Sequence, residues 1–171
     1  AAEVEVAVDC HYVEAIAEYY DRFGERPHSA RMKSLADAFE AVANKFPKDD
    51  EAQIFYAIYL TATQSPNDKT FADTLKAAQI LEPQFKKHPN HPGVAHYLIH
   101  SYDYPPIAEK GLDAANRYSE IAPSAPHALH MPSHIFTRVG AWQASVATNR
   151  RSSAVSRAEN EPNGGLHATD Y

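Results

Sequence analysis

A chain of 171 residues, 44% hydrophobic and 22% charged, has the composition of one soluble globular domain long enough to bury a core. Lys and Arg number 16 against 22 Asp and Glu, and the resulting formal charge of −6 disfavours the basic stripe on which nucleic-acid binding depends. The single cysteine, Cys10, excludes an intrachain disulfide framework and a multi-cysteine zinc module, and no segment approaches the roughly 18 apolar residues of a membrane span.

Strand signals are weak and Ala is abundant wherever the sequence is periodic, so the expected class is all-α. Val13, Ile16, Ala17, Tyr20 and Phe23 recur at the spacing of one helical face, ending in a break from Gly24 to Pro27. Met32, Leu35, Ala36, Phe39, Ala43 and Phe46 repeat the pattern until Pro47 stops it. A helix from Glu51 to Thr63, packing through Ala52, Phe55 and Ile58, leads into a polar turn at Ser65-Pro66-Asn67-Asp68. The next helix runs from Phe71 to Phe85, with Pro83 expected as a kink or early stop. A third pair spans His91 to Asp103 and Ile107 to Ile121 around Tyr104-Pro105-Pro106. A fourth spans Pro126 to Val139 and Trp142 to Arg157, and Leu166 to Tyr171 reads as the first turn of a further helix. A chain beginning Ala1-Ala2 and ending on an unfinished pair is expected to be a processed or partial product, in a cytoplasmic or exported location that composition leaves open. An uncovered apolar face at such an end invites self-association.

The tripeptides Lys45-Phe46-Pro47, Lys87-His88-Pro89 and Ile121-Ala122-Pro123 align these units, with Pro89 and Pro123 separated by 34 residues. A helix-turn-helix period of that length resembles the tetratricopeptide repeat. The Gly140, Trp142, Ser145 and Asn149 series matches that repeat's pattern only in part. His91-Pro92-Gly93-Val94-Ala95-His96-Tyr97-Leu98-Ile99-His100 and the His-Ala-Leu-His-Met-Pro-Ser-His run from His127 to His134 resemble a bacterial tetratricopeptide-like family. The resemblance implies one repeat domain over 1–171, with approximate units 8–47, 50–89, 91–123 and 126–158 and a partial helix at 166–171, stacked as a right-handed superhelical solenoid. It supplies no activity.

Ten histidines are the unusual count, and their placement follows the same register. His96 aligns with His130 and His100 with His134, each pair 34 residues apart. Inside each helix the two rings are four residues apart, on one face about a turn from one another, a spacing at which two imidazoles can share a metal. The resemblance places all four on the concave face, and helix axes roughly 8–10 Å apart would let them converge. Asp103 extends the first helix's series, His127 and Arg138 border the second, and Tyr104 lies near the groove. If His167-Ala168 aligns with His127-Ala128, Asp170 takes the place of His130 in the next rung. Imidazole with carboxylate suits Zn, Ni, Cu(II) or Fe, so a divalent transition metal such as zinc is the candidate cofactor on His96, His100, His130, His134 and Asp103, the alternative being that the rings are a neutral hydrogen-bonding groove lining or pack on Tyr97, Tyr102 and Tyr104. Pro132, between His130 and His134, is expected to disturb its helix.

Other features carry less. His88 and His91 flank prolines in a loop, and Cys10 beside His11 is expected to be a buried structural thiol. No phosphate-binding Gly loop, Gly-x-Ser-x-Gly elbow or His-Glu-x-x-His is present, and no catalytic residue is assigned. The leading functional expectation is a repeat scaffold that takes a peptide or protein partner in a His-rich groove lined also by His127, Arg138, Tyr104 and Asp170. The alternatives are a purely structural assembly unit and a metal-binding protein. The last becomes a metal-dependent hydrolase if a coordination position stays open and Asp103 or Asp170 serves as base.

Overall fold

All regular structure among the described residues is helical. The computed structural model describes residues 2–170, with side chains from Val8 to Asp170, so the expected helix at Tyr171 lies partly outside it. Two compact units divide the chain, Ala1–Gln84 and Phe85–Tyr171, and their boundary falls inside one helix.

The first unit contains α1 (Ala2–Tyr20), α2 (His28–Lys45), α3 (Asp50–Ala62) and most of α4 (Ala72–Lys87). Helix α1 does not bury the face its aliphatic spacing suggested: Val13 is 70% and Tyr20 60% exposed, while Val8 and Ala15 are buried. Aromatic packing decides this, because the Tyr12 ring stacks on Phe39 at 5.9 Å and meets Phe55 edge-on at 5.8 Å. Such rings bury more apolar area than a Val or Ile and so orient the helix. On the same turned helix Cys10 is exposed, against the expectation of a buried thiol. Leu35, Ala36, Phe39 and Ala43 are buried along α2 as their spacing predicts. The helix ends at Lys45 because Phe46, preceding Pro47, is driven out of the helical region to φ −122°. Asp49 caps α3 by accepting the Ala52 N–H at 3.1 Å. Ala52 is fully buried, whereas Phe55 and Ile58 are half-buried. Pro83 does not end α4, which continues to Lys87. Pro83 and Gln79 are both exposed, so the carbonyl that loses its intrahelical partner faces water.

The second unit begins with the end of α4 and continues through α5 (Pro92–Tyr102), a 3₁₀ turn (Ala108–Gly111), α6 (Leu112–Ile121), α7 (Pro126–His130), α8 (Pro132–Arg138), α9 (Trp142–Ala158) and α10 (Pro162–Asp170). His91 caps α5, its Nδ1 accepting the Val94 N–H at 3.2 Å. The 3₁₀ turn replaces the first turn expected from Ile107, since the chain there passes tightly against its neighbours. A Cβ on Gly111 would stand 2.8 Å from Ile135 Cδ1 and 3.1 Å from Tyr102 Cβ. Pro132, which has no N–H, splits the expected helix into α7 and α8, and the chain turns through a Met131 carbonyl to His134 N–H bond of 3.2 Å. Helix α10 starts earlier than the expected Leu166, at Pro162, and runs through Gly164 and Gly165.

Val94, Ala95, Leu98, Ile99, Leu129, Met131 and Ile135 form the second unit's core. Helix α9 packs differently, burying Ser145, Asn149, Ser152, Ser153 and Ser156 while Trp142 and Val146 face outward. Small hydroxyl side chains allow close approach and satisfy backbone carbonyls across the contact: Ser152 Oγ donates to Pro126 O at 2.6 Å and Ser153 Oγ to Gly165 O at 3.1 Å. No helix among the described residues is long and apolar enough to cross a membrane.

Candidate metal centre

Six histidines of the second unit gather from three directions: His96 and His100 from α5, His127, His130 and His134 from α7 and α8, and His167 from α10. The four-residue spacing works as the sequence suggested, with His96 Nε2 and His100 Nε2 3.0 Å apart and His130 Nε2 and His134 Nε2 also 3.0 Å apart. The second pair keeps that relation although Pro132 separates its members into two short helices.

Asp103, expected as a ligand, follows the end of α5, where it holds two partners. His134 Nδ1 lies 2.8 Å from its Oδ2, and Arg138 Nε donates to its Oδ1 at 2.8 Å. Burial pushes the Asp103 carboxyl up, but these two bonds prevail and hold it below its usual range. Its place is therefore behind His134, orienting the ring. Asn149 of α9 does the same for His130, its Oδ1 lying 2.8 Å from His130 Nδ1, with Ser133 Oγ at 3.4 Å.

These contacts fix the tautomers. A carboxylate only accepts, so His134 Nδ1 carries the proton it shares with Asp103. His130 Nδ1 likewise donates to the Asn149 carbonyl oxygen. When both rings are neutral each has its lone pair on Nε2, and the two Nε2 atoms face one another at 3.0 Å. Two lone pairs at that distance repel unless a cation lies between them. Burial, with the neighbouring His134, His167 and His127, outweighs the Asn149 bond and lowers His130 to about 4, so His130 itself is unprotonated on Nε2 at neutral pH. His167, exposed on α10, completes the group: one ligand nitrogen from each of His130, His134 and His167 lies within 4.8 Å of the others.

His96 stacks on Tyr97 at 5.0 Å and on Tyr118 at 5.5 Å, which fixes its ring plane. Its Nε2 also meets His127 Nε2 at 3.2 Å. Burial, reinforced by His100, His127 and His134, lowers His96 to about 3. His100 falls to about 4 by burial and the neighbouring His134, with Asp103 opposing. His127 is lowered too, by burial first and then His167. A group of rings held neutral in this way presents lone pairs, the form in which imidazole binds metal.

Of the residues expected from sequence, His96, His100, His127, His130, His134, Asp103 and Arg138 come together. Tyr104 is half-buried near Asp103, whose charge, after burial, raises its hydroxyl pKa. Asp170 is exposed at the end of α10, and the residue of that helix that meets His130 is His167, at 4.4 Å between ring centroids. Sequence reasoning missed Asn149 and Tyr118, and it gave the place in the last rung to Asp170 rather than His167, whereas Tyr97 was expected to pack on the rings. A signal for His167 existed: α5, α7 and α10 each begin with proline, at 92, 126 and 162, and anchoring on Pro162 places His167 one residue beyond the His96 and His130 position. No protein-family model, curated protein or solved structure matches this chain.

Proposed function

We propose that the second unit is a metal-binding module that holds a divalent transition ion such as zinc on the Nε2 atoms of His130 and His134 and a nitrogen of His167. The facing Nε2 atoms at 3.0 Å carry this reading, since both rings commit their Nδ1 protons to Asn149 and Asp103. Two nitrogens about 2.0–2.1 Å from one zinc ion lie about 2.8–3.4 Å from each other at coordination angles between octahedral and tetrahedral. A carboxylate or amide oxygen behind a ligand histidine is the usual outer partner at such centres, fixing the tautomer and raising ring basicity. Helix pairs stacked as tetratricopeptide-like repeats would supply the scaffold, and the return of His96 and His100 as His130 and His134 supports that arrangement. Three protein nitrogens leave a zinc ion room for a further ligand, the position that a hydrolytic role would use.

The test is thermal unfolding of chelator-treated protein on adding zinc. The melting temperature should rise with free ion by mass action, and the rise should be smaller in His130→Ala combined with His134→Ala than in the unaltered chain. Unchanged melting with zinc, nickel and copper alike would end the proposal.

A partner-binding role draws on a different place, a cleft of about 520 Å³ lined by Ser145, Val146, Asn149, Arg150, Ser153, Arg157, Ala168 and Thr169. Arg150 and Arg157 would favour an acidic peptide there. Binding of a poly-glutamate peptide that survives replacing both arginines by Ser would refute that assignment.

A further inference from the structure

The histidines of the metal centre fall into two sets. Within a set, ring centroids are close, 4.7 Å for His96 and His100 and 4.9 Å for His130 and His134. Between sets they stand further apart, 6.0 Å for His100 and His134 and 6.1 Å for His127 and His130. Six imidazoles exceed what one tetrahedral zinc ion can take, so an ion on His130, His134 and His167 leaves three rings to account for.

Those three meet at one atom. His96 Nε2 lies 3.0 Å from His100 Nε2 and 3.2 Å from His127 Nε2. A neutral imidazole nitrogen offers one proton or one lone pair, so His96 Nε2 can form one well-aligned hydrogen bond, and two neighbours compete for it. Both distances also suit ligands adjacent on a common ion. The Tyr97 and Tyr118 rings both stack on His96 and hold its plane, as supports do for a fixed ligand.

We infer that His96, His100 and His127 hold a second divalent transition ion beside the first, making the centre dinuclear. The inference shares with the proposed function the premise that these imidazoles are ligands, but it rests on a separate set of three. His127 is exposed on α7 and closes the second site from the solvent side. His96 and His100 supply its half-buried wall from α5.

Metal content after dialysis of the full chain against zinc, followed by removal of free ion, tests this directly. Two zinc ions per chain are expected. His127→Ala, a change at an exposed position, should lower the content to one, and so should His96→Phe, which keeps a ring stacked on Tyr97 and Tyr118 but removes the nitrogens. His134→Ala should also give one, from the other site, and His127→Ala with His134→Ala should give none. One ion per chain, lost in His134→Ala and retained in both His127→Ala and His96→Phe, would overturn the second site and leave the proposed function standing. One ion lost in His96→Phe and retained in His134→Ala would instead overturn the proposed first site and uphold this one. Circular dichroism on each variant separates ion loss from unfolding. If His96→Phe alone unfolds, His127→Ala still decides between one ion and two.

Discussion

Lowering the pH from 7 to 5 in the presence of a chelator should destabilise the second unit through its histidines. His96 is held at about 3 and His100 and His130 at about 4 in the folded chain, against an ordinary value of 6.5. Between these values the unfolded chain binds protons that the folded chain does not, so stability rises with pH across the window and is lost as pH falls from about 6.5 towards 4. At pH 5 three such rings give a ceiling of about 4 kcal/mol per pH unit. Water reaching the half-buried His96 and His100 and relaxation of the ring cluster reduce this, and a slope of about 1 to 2 kcal/mol per pH unit is expected. The depressed carboxylates, Glu40 and Asp103 among them, act in a separate window below their ordinary values of 4.5 and 3.8. Urea unfolding at pH 7, 6 and 5 measures the slope, and replacing His96 and His100 by Gln should flatten it. A stability that is level from pH 7 to 5, or that increases on acidification, would refute the account of rings buried in the neutral form.

Asp103→Asn, which keeps the shape but removes the charge behind His134, should weaken zinc binding by about 10- to 100-fold, read by competition with a chromophoric chelator. An unchanged affinity would detach Asp103 from the centre. Gly111→Ala places a methyl group against Ile135 and Tyr102 and should cost about 1–3 kcal/mol in chemical denaturation. Ser152→Ala leaves the buried Pro126 carbonyl without its hydroxyl donor and should cost about 1–3 kcal/mol, with Ser152→Thr retaining part of the bond if the added methyl group fits.

Helix content and the pairing of histidines were legible because they depend on local periodicity. A His at i and another at i+4 meet wherever the backbone is helical, and the match of His96 with His130 needs only the spacing of two helix starts. The face of α1 was not legible, since Val13 and Ile16 satisfy the apolar pattern as well as Val8, Tyr12 and Ala15 do, and only contact with Phe39 and Phe55 chooses between them. The buried face of α9 was hidden for the opposite reason. Serines carry no apolar signal, and the burial of Ser152 and Ser153 depends on carbonyls contributed by α7 and α10. His167 escaped as a ligand because its alignment with His127 gave the place in that rung to Asp170, and because the helix was read from Leu166 rather than through Gly164 and Gly165, the second of which packs closely on α9. A Cβ on Gly165 would stand 3.0 Å from Ser156 Oγ.

The serine contact between α9 and α10 also bears on how the last histidine is delivered. Apolar burial is what makes separation of two elements costly and gives it a large heat-capacity change, and hydroxyl bonds to carbonyls are readily exchanged for bonds to water. Within α10 only Ala168 is buried, and Leu166 is 63% exposed. Helix α10 is thus the element of the second unit best suited to local opening, with amide protons that exchange ahead of those in α5. Because His167 travels with it, an ion bound by His130, His134 and His167 would close α10 onto α9. The ordering of a helix would then be paid for by coordination, and the exchange rates of its amides would report how full the site is.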